Sequence, residues 1–330
     1  VDCAVYCTRL SDKMFRQRAS LFFTAIRHSS SKHVLLIGCG NGAGGRKLGC
    51  EEAAQVMRQS LLLKKCKIEH KWAAMIHETP SGRQRAAIPG ISKLAKQLAS
   101  TVQQWIMLNE HPVVIGGDHS CAIGTWSGLA AALRHKGNIG LIWLDAHLDA
   151  HTPDTSETGN VHGMPVAHLL GYGDRTLVTV IEDRPKLSPK NLVYIGSRSY
   201  EAAEKNFVDK LGVLNKAIEI VSKDTVGFGM SIDMDGFREE DAPAVGTPEA
   251  GGVIADDFLK AVGKANLDKL LGNFPLFVPP LNHEVTELVE FLPRFDKRKR
   301  TEQLMVRIIE AIYGNKFAHN NEEVHQRHQK

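Results

Sequence analysis

Four apolar runs of this chain stop on acids or histidines. PVVIGG (112–117) leads into Asp118-His119-Ser120, IGLIWL into Asp145-Ala146-His147-Leu148-Asp149, FGMSI into Asp233-Met234-Asp235, and TELV into Glu290. A single such residue after a strand is ordinarily a helix N-cap or a turn residue, and that reading is kept for Asp118 and Ser120. The clusters together exceed it. Asp145, His147 and Asp149, and likewise Asp233 and Asp235, have the i, i+2 spacing that puts alternate side chains on one face of an extended segment. Neither motif contains Lys or Arg, and like charges buried at that density cost several kcal/mol each unless something positive neutralises them. A metal ion is the natural counter-charge. Asp145, Asp149, Asp233 and Asp235 with His119 and His147 make a hard oxygen and nitrogen set without thiolate. Such a set suits Mn²⁺, with Co²⁺, Ni²⁺ or Zn²⁺ as substitutes, and offers enough ligands for two ions per chain sharing bridging carboxylates.

The elements that must position these residues are legible as short β-branched runs: HVLLIG (33–38), PVVIGG (112–117), IGLIWLDAH (139–147), LVYIGS (192–197), FGMSIDMD (228–235) and TELVEF (286–291). They read as strands buried on both faces. Helix-like segments lie between them near 51–63, 90–109, 121–135, 199–212, 254–264 and 301–313. The alternation predicts a three-layer α/β/α domain around a doubly wound, mainly parallel sheet, in which ligands gather at the carboxyl ends of the strands. No Pro/Gly/Ser-rich linker or repeat divides residues 33–315, so one domain over 32–315 is expected. The polar stretch 316–330 reads as a solvated tail.

Composition narrows the function classes. With 41 Lys+Arg against 37 Asp+Glu the net charge is +4, a mild excess without long basic blocks, which argues against a nucleic-acid binder. No run approaches the roughly 18–20 apolar residues that span a bilayer, so no membrane partner is expected. The six cysteines fall at or before Cys121 with no CxxC pair, against both a disulfide framework and a thiolate zinc site. From Met14, a candidate start, the segment to Lys32 is basic, Ser-rich and free of acids. Residues 1–31 are therefore expected to be an N-terminal extension that targets the mitochondrion, the alternative being a frayed basic arm on a cytoplasmic protein.

In order and approximate spacing, GGDHS (116–120), DAHLDAHTP (145–153), GNVHGMP (159–165), SIDMDG (231–236) and APAVGTPEAGG (242–252) resemble the arginase branch of the ureohydrolase family, from about Lys32 to about Tyr313. The resemblance implies a binuclear manganese centre and hydrolysis of the guanidinium group of L-arginine to urea and L-ornithine by a metal-bridging hydroxide. It assigns His119, Asp145, Asp149 and Asp233 to one ion and Asp145, His147, Asp233 and Asp235 to the other. Asp149 would orient the hydroxide and take its proton, His162 would shuttle protons, and Glu290 would hold the guanidinium. Thr247 corresponds to a position beside that site, or is a structural turn residue. The loop 152–165 is similar to the arginase loop that reads the α-amino and α-carboxylate groups, and lacks the Tyr of the agmatinases. By position, Ser156, Thr158 and Asn160 would bind the carboxylate and Glu201 would face the α-amino group. Homo-oligomers, trimers or hexamers, are implied as well.

The chain also departs from the pattern. His151 stands where arginases usually have Asn, Thr158 where they have Ser, and Glu201 where they have Asp, changes that alter reach and hydrogen-bonding in the α-group pocket. Phe237-Arg238-Glu239 and FLP after Glu290 are further departures, and the prolines of FPLFVPPLNH (274–283) interrupt the approach to Glu290. The open alternatives are therefore agmatine or another guanidino acid as substrate, and a metal-binding regulatory subunit without activity. A nucleotide-binding reading of HVLLIGCGNGAGG (33–45) ranks far lower, because a glycine-rich turn after one strand is a weak signal.

Overall fold

The computed structural model describes residues 33–78, 82–200, 221, 224–264 and 282–327. Among these, seven strands form one sheet: β1 (Val34–Gly40), β2 (His70–His77), β3 (Pro112–Ile115), β4 (Asn138–Leu144), β5 (Leu192–Ile195), β6 (Thr225–Asp233) and β7 (Asn282–Val289). All pairs are parallel, in the order β2-β1-β3-β7-β6-β4-β5. The helices are α1 (Ala53–Gln59), α2 (Leu61–Lys65), α3 (Ile88–Met107), α4 (Ala122–Leu133), α5 (Pro165–Leu169), α6 (Arg175–Val178), α7 (Ala255–Lys264) and α8 (Arg300–Arg327).

Alternation along the strands builds two cores. Val34 and Leu36 of β1 pack with Met57 of α1, Val262 of α7 and Ile308 and Ile312 of α8, while Ile37 and Cys39 pack with Leu98 of α3 and Trp126 of α4. The sheet is thus covered on both faces, which is why its strands read as continuous apolar runs. Helix α3 earns its place through one stripe, Ile91, Leu94, Ala95, Leu98, Ala99, Val102 and Ile106. It lies close against α4, since a Cβ at Gly128 would stand 2.4 Å from the Ala99 carbonyl oxygen. The three-layer, parallel architecture expected from the sequence is the one observed.

Several local readings change. Strand β2 was not anticipated, because HKWAAMIH is a half-exposed edge strand paired only with β1 and has no uninterrupted apolar run. The helix expected over 51–63 is interrupted at Ser60, whose hydroxyl leaves the first helix and accepts from the Leu62 and Leu63 N–H groups to start the second. Helix α8 runs on through most of the stretch read as a tail. That stretch is polar but holds no Pro, and no Gly beyond Gly314, so nothing in it stops a helix. The helix expected over 199–212 lies almost wholly outside the described residues.

Topology decides what meets what. The chain leaves β4 outward to β5, returns inside it to β6, and inserts β7 between β6 and β3. The carboxyl ends of β3, β7, β6 and β4 therefore stand side by side at the centre of the sheet, the position where open α/β sheets hold ligands.

Candidate metal centre

The floor of the site is assembled from those four strand ends. After β3 the chain turns through Gly116-Gly117, and a Cβ at Gly117 would stand 1.7 Å from the Asn41 carbonyl oxygen, so only glycine lets this loop press against the one after β1. The Asp118 N–H then donates to that carbonyl at 2.7 Å. The Asp118 carboxylate accepts from Ser120 N–H at 3.0 Å and Gly44 N–H at 2.9 Å: it is the cap expected, and it also ties down the glycine-rich loop. Its burial and the charge of Glu290 raise its pKa to about 6. With Gly44 N–H engaged by Asp118 and Ala43 N–H by the Asn41 side chain, the loop offers no phosphate cradle and the nucleotide reading loses its support.

His119 is thereby turned inward. It is fully buried and stacks on Trp143 of β4, ring centres 4.1 Å apart. Its Nδ1 stands 3.0 Å from Asp145 Oδ2, 3.0 Å from Asp149 Oδ2 and 3.1 Å from Asp233 Oδ2. None of the three is aligned as a hydrogen bond, and the buried nitrogen is left without a partner. Four donor atoms converging without bonding one another is the arrangement of ligands around a shared ion. A second group adjoins it: His147 Nδ1 is 3.3 Å from Asp145 Oδ1 and 3.3 Å from Asp235 Oδ2. Asp145 belongs to both groups: the ligand atoms of His119, Asp145 and Asp149 lie within 4.8 Å of one another, as do those of Asp145, His147 and Asp235.

Hydrogen bonds aim these carboxylates. Asp145 accepts from Trp143 Nε1 at 2.9 Å and from His147 N–H at 2.7 Å; Asp233 accepts from Asp235 N–H at 2.7 Å; Asp235 accepts from Ala146 N–H at 3.2 Å and Thr247 Oγ1 at 2.9 Å. Thr247 thus touches a floor carboxylate. Burial, and then their mutual repulsion, raise the pKa values of Asp233 and Asp235, and raise that of Asp149 to about 6, each with Asp145 among its neighbours. Acids held at such cost call for positive charge, and an oxygen-rich set with two imidazoles fits a pair of divalent cations. Asp149 and Glu290 also have left-handed backbones, φ 50 and φ 61, local strain of the kind that clusters at functional sites.

Glu290, placed by the turn after β7, is buried beside the floor. Its Oε1 accepts from His119 N–H at 3.0 Å and faces His162 Nδ1 at 2.8 Å. Burial opposes a charged His162, but Glu290 outweighs it and carries the imidazole pKa to about 9. Above the floor a cavity of about 620 Å³ opens, walled by His151, Ser156, Thr158, Asn160, His162 and Thr247. The rim segment is knotted by its own polar groups: Gly159 N–H donates to Ser156 Oγ at 3.0 Å, and Arg85 reaches the Ser156 carbonyl at 2.6 Å. The Asn160 Oδ1 is buried and has no hydrogen-bond partner among the described residues. Glu201 lies outside those residues.

Sequence reasoning missed the support behind the ligands. His119 Nε2 meets Ser231 Oγ at 2.9 Å, Ser231 donates to Glu287 Oε2 at 2.8 Å, and Thr125 donates to Glu287 Oε1 at 2.5 Å. The available signal was Ser231 in the apolar run of β6 and, more weakly, Glu287 in a β7 that also carries Asn282, His283, Glu284 and Thr286. The guanidinium of Arg198, just after β5, donates to the carbonyls of Gly196, Asp235, Glu249 and Ala250, fixing the loop that carries Thr247. Arg46, Gln84, Ser199, Tyr200 and Glu249 also line the cavity.

The family model of the arginases, described as "Arginase family", matches residues 32–314. The chain belongs to the arginase family. It is 34% identical over 261 residues to the arginase of Bacillus caldovelox, covering 74% of this chain and 82% of that protein. The crystal structure of arginase from Bacillus subtilis superposes with a TM-score of 0.74 at 29% identity, over 86% of this chain and 99% of that one. A formimidoylglutamase from Bacillus subtilis shares the fold, TM-score 0.65 at 20% identity, over 88% of each chain. The chain is accordingly a hydrolase of the ureohydrolase type, from a metal-dependent family that acts on small molecules.

The mitochondrial destination is overturned. Curated arginases that the chain matches include those of Bacillus, Brevibacillus and Staphylococcus, organisms without mitochondria. The expectation rested on composition alone, and a basic, acid-free stretch satisfies it whatever its role; residues 1–32 lie outside those described. No helix among the described residues is long and apolar enough to cross a membrane.

Proposed function

We propose that the chain hydrolyses L-arginine to urea and L-ornithine, with two Mn²⁺ ions at the sheet floor. The observation that carries the reading is the shared carboxylate of Asp145, common to a His119/Asp149 group and a His147/Asp235 group. His119, Asp145, Asp149 and Asp233 would hold one ion, and Asp145, His147, Asp233 and Asp235 the other. Bound ions supply Lewis acidity that ionises water near neutral pH.

The protein groups do the rest. Glu290 grips the substrate guanidinium through charge-assisted hydrogen bonds and turns its carbon toward the floor. Asp149, at the floor of the cavity, orients the attacking water and accepts its proton. His162, held in its charged form below about pH 9 by Glu290, donates a proton to the leaving amine. At the rim, Ser156, Thr158 and Asn160 take the α-carboxylate, His151 adds a donor beside them, Glu201 faces the α-amino group, and Thr247 steadies Asp235. Asn160 lines the cavity, and its amide NH₂ is the donor that a carboxylate end of the substrate would meet. Family resemblance further supports a homo-oligomer, a trimer or hexamer.

The test is release of urea from L-arginine, agmatine and 4-guanidinobutyrate, and of formamide from N-formimidoyl-L-glutamate, after loading with Mn²⁺ and after chelation. Urea from L-arginine alone, abolished by chelation, is the expected result. Turnover of another compound would move the substrate while keeping the chemistry, and no turnover with two ions bound would leave a regulatory subunit.

A further inference from the structure

The two oxygens of Glu290 keep unequal company. Oε1 has the His119 N–H and the His162 imidazole, whereas Oε2 has one hydrogen bond among the described residues, from the thiol of Cys50 at 3.3 Å. Cys50 is 1% exposed and opens the 3-10 turn Cys50–Glu52. Gly49 delivers it there with φ 130, a conformation that side chains with a Cβ rarely adopt. A thiol from the loop after β1 is thus brought onto a carboxylate 240 residues away in the chain.

We propose that Cys50 is a positioning residue for guanidinium recognition, its S–H fixing the plane of the Glu290 carboxylate by donating to Oε2. The inference rests on the reading that Glu290 holds the substrate. The terminal torsion of a glutamate is broad, so contacts on Oε1 alone leave the plane free to swing. A guanidinium binds both oxygens only when the two planes match, and a second anchor on Oε2 removes that freedom in advance. A neutral anchor suits this second oxygen, because the charged His162 on Oε1 already offsets part of the carboxylate charge and a further cation on Oε2 would take the rest from the substrate. Burial, and the adjacent Glu290, keep the thiol protonated, so it occupies one lone pair of Oε2 and leaves the carboxylate charge intact.

Two variants separate this role from simple packing. Cys50→Val keeps an apolar group of similar volume and removes the donor; Cys50→Ser keeps a donor and loses volume. With Mn²⁺-loaded protein and L-arginine, Cys50→Val should raise KM about three- to tenfold, the range of one hydrogen bond, with kcat changed less than about twofold. Cys50→Ser should lie closer to wild type. A packing role predicts the reverse order. Metal analysis of each variant should return the wild-type content. As a readout independent of turnover, the infrared S–H stretch in the difference spectrum of wild type against Cys50→Ser should be displaced to low frequency, and Glu290→Ala should relax it. A KM for Cys50→Val equal to wild type, or an undisplaced S–H band, overturns the proposal while the proposed activity stands. A wild-type chain that releases no urea from L-arginine overturns the functional reading and the proposal with it, and this is seen before any variant is made.

Discussion

The floor of the site and its rim are built on different principles. Floor residues sit at the ends of β3, β4, β6 and β7, buried apart from the partly exposed His147, and the carboxylates of Asp145, Asp233 and Asp235 are aimed by backbone N–H groups or by the Trp143 indole. Rim residues hang on the segment 151–163, whose groups bond mainly to one another and to Arg85. Two of the departures from the family pattern, His151 and Thr158, lie on the rim, while Phe237-Arg238-Glu239 and Leu292 follow the floor acids, whose own positions match the pattern. A floor that must hold charge against its own repulsion tolerates little change, because one lost partner leaves a buried ion unpaired. A half-exposed rim can exchange donors at lower cost, and under the proposed function it is there that substrate choice would be written.

The comparison can be broken most directly at the floor. Asp145→Ala should lose bound manganese from both positions and bring urea release to background, since this carboxylate belongs to both groups; metal analysis showing both ions retained would sink the shared-ligand reading. His162→Asn should keep its metal but lower kcat by roughly 10²–10⁴, the usual worth of a general acid, and a change confined to KM would remove it from proton transfer. Behind the floor, Ser231→Ala should weaken metal affinity about 10- to 100-fold through loss of the His119 partner, read by titration against a chelator.

At the rim the effects shrink and change character. Asn160→Ala should raise the KM for L-arginine about five- to tenfold with kcat nearly unchanged, and leave agmatine, which has no carboxylate, unaffected. Equal losses on both substrates would place Asn160 in the fold of the rim instead. The smallest effect concerns the helix that anchors the rim. His168 Nδ1 donates to the Met164 carbonyl at 2.8 Å and its Nε2 accepts from Asp174 N–H at 3.0 Å, an arrangement for neutral imidazole. Burial lowers its pKa in the folded state. The unfolded chain therefore binds the additional proton as pH falls below about 6.5, and stability declines over that range. Denaturant midpoints at pH 7 and pH 5 should differ less in His168→Gln than in wild type; an unchanged difference would exclude His168 as a source.

Much of this was legible in the residues. The i, i+2 acids at the ends of apolar runs announced a metal centre because no bland arrangement accounts for so many like charges, and six of the seven strands announced themselves by their β-branched composition. Strand β2 did not, since an edge strand has no reason to be apolar on both faces. Ser231 and Glu287 were readable only as anomalies within their strands, and Cys50 and Arg198 carried no signal at all, because their partners, Glu290 and a row of carbonyls, lie far away in the chain.

What the sequence by itself determined is the inventory: a parallel sheet covered on both faces, a hard set of candidate metal ligands, and a polar loop after the second motif. What only the tertiary structure decided is adjacency. Strand β7 enters between β3 and β6, out of chain order, and this alone brings Glu290 beside His119 and within reach of His162 and Cys50. Spacing along a chain reports which side chains share a face of one element. Which elements become neighbours depends on how the inner strands are buried most completely while the half-exposed β2 is left at an edge, and that is a property of the whole sheet.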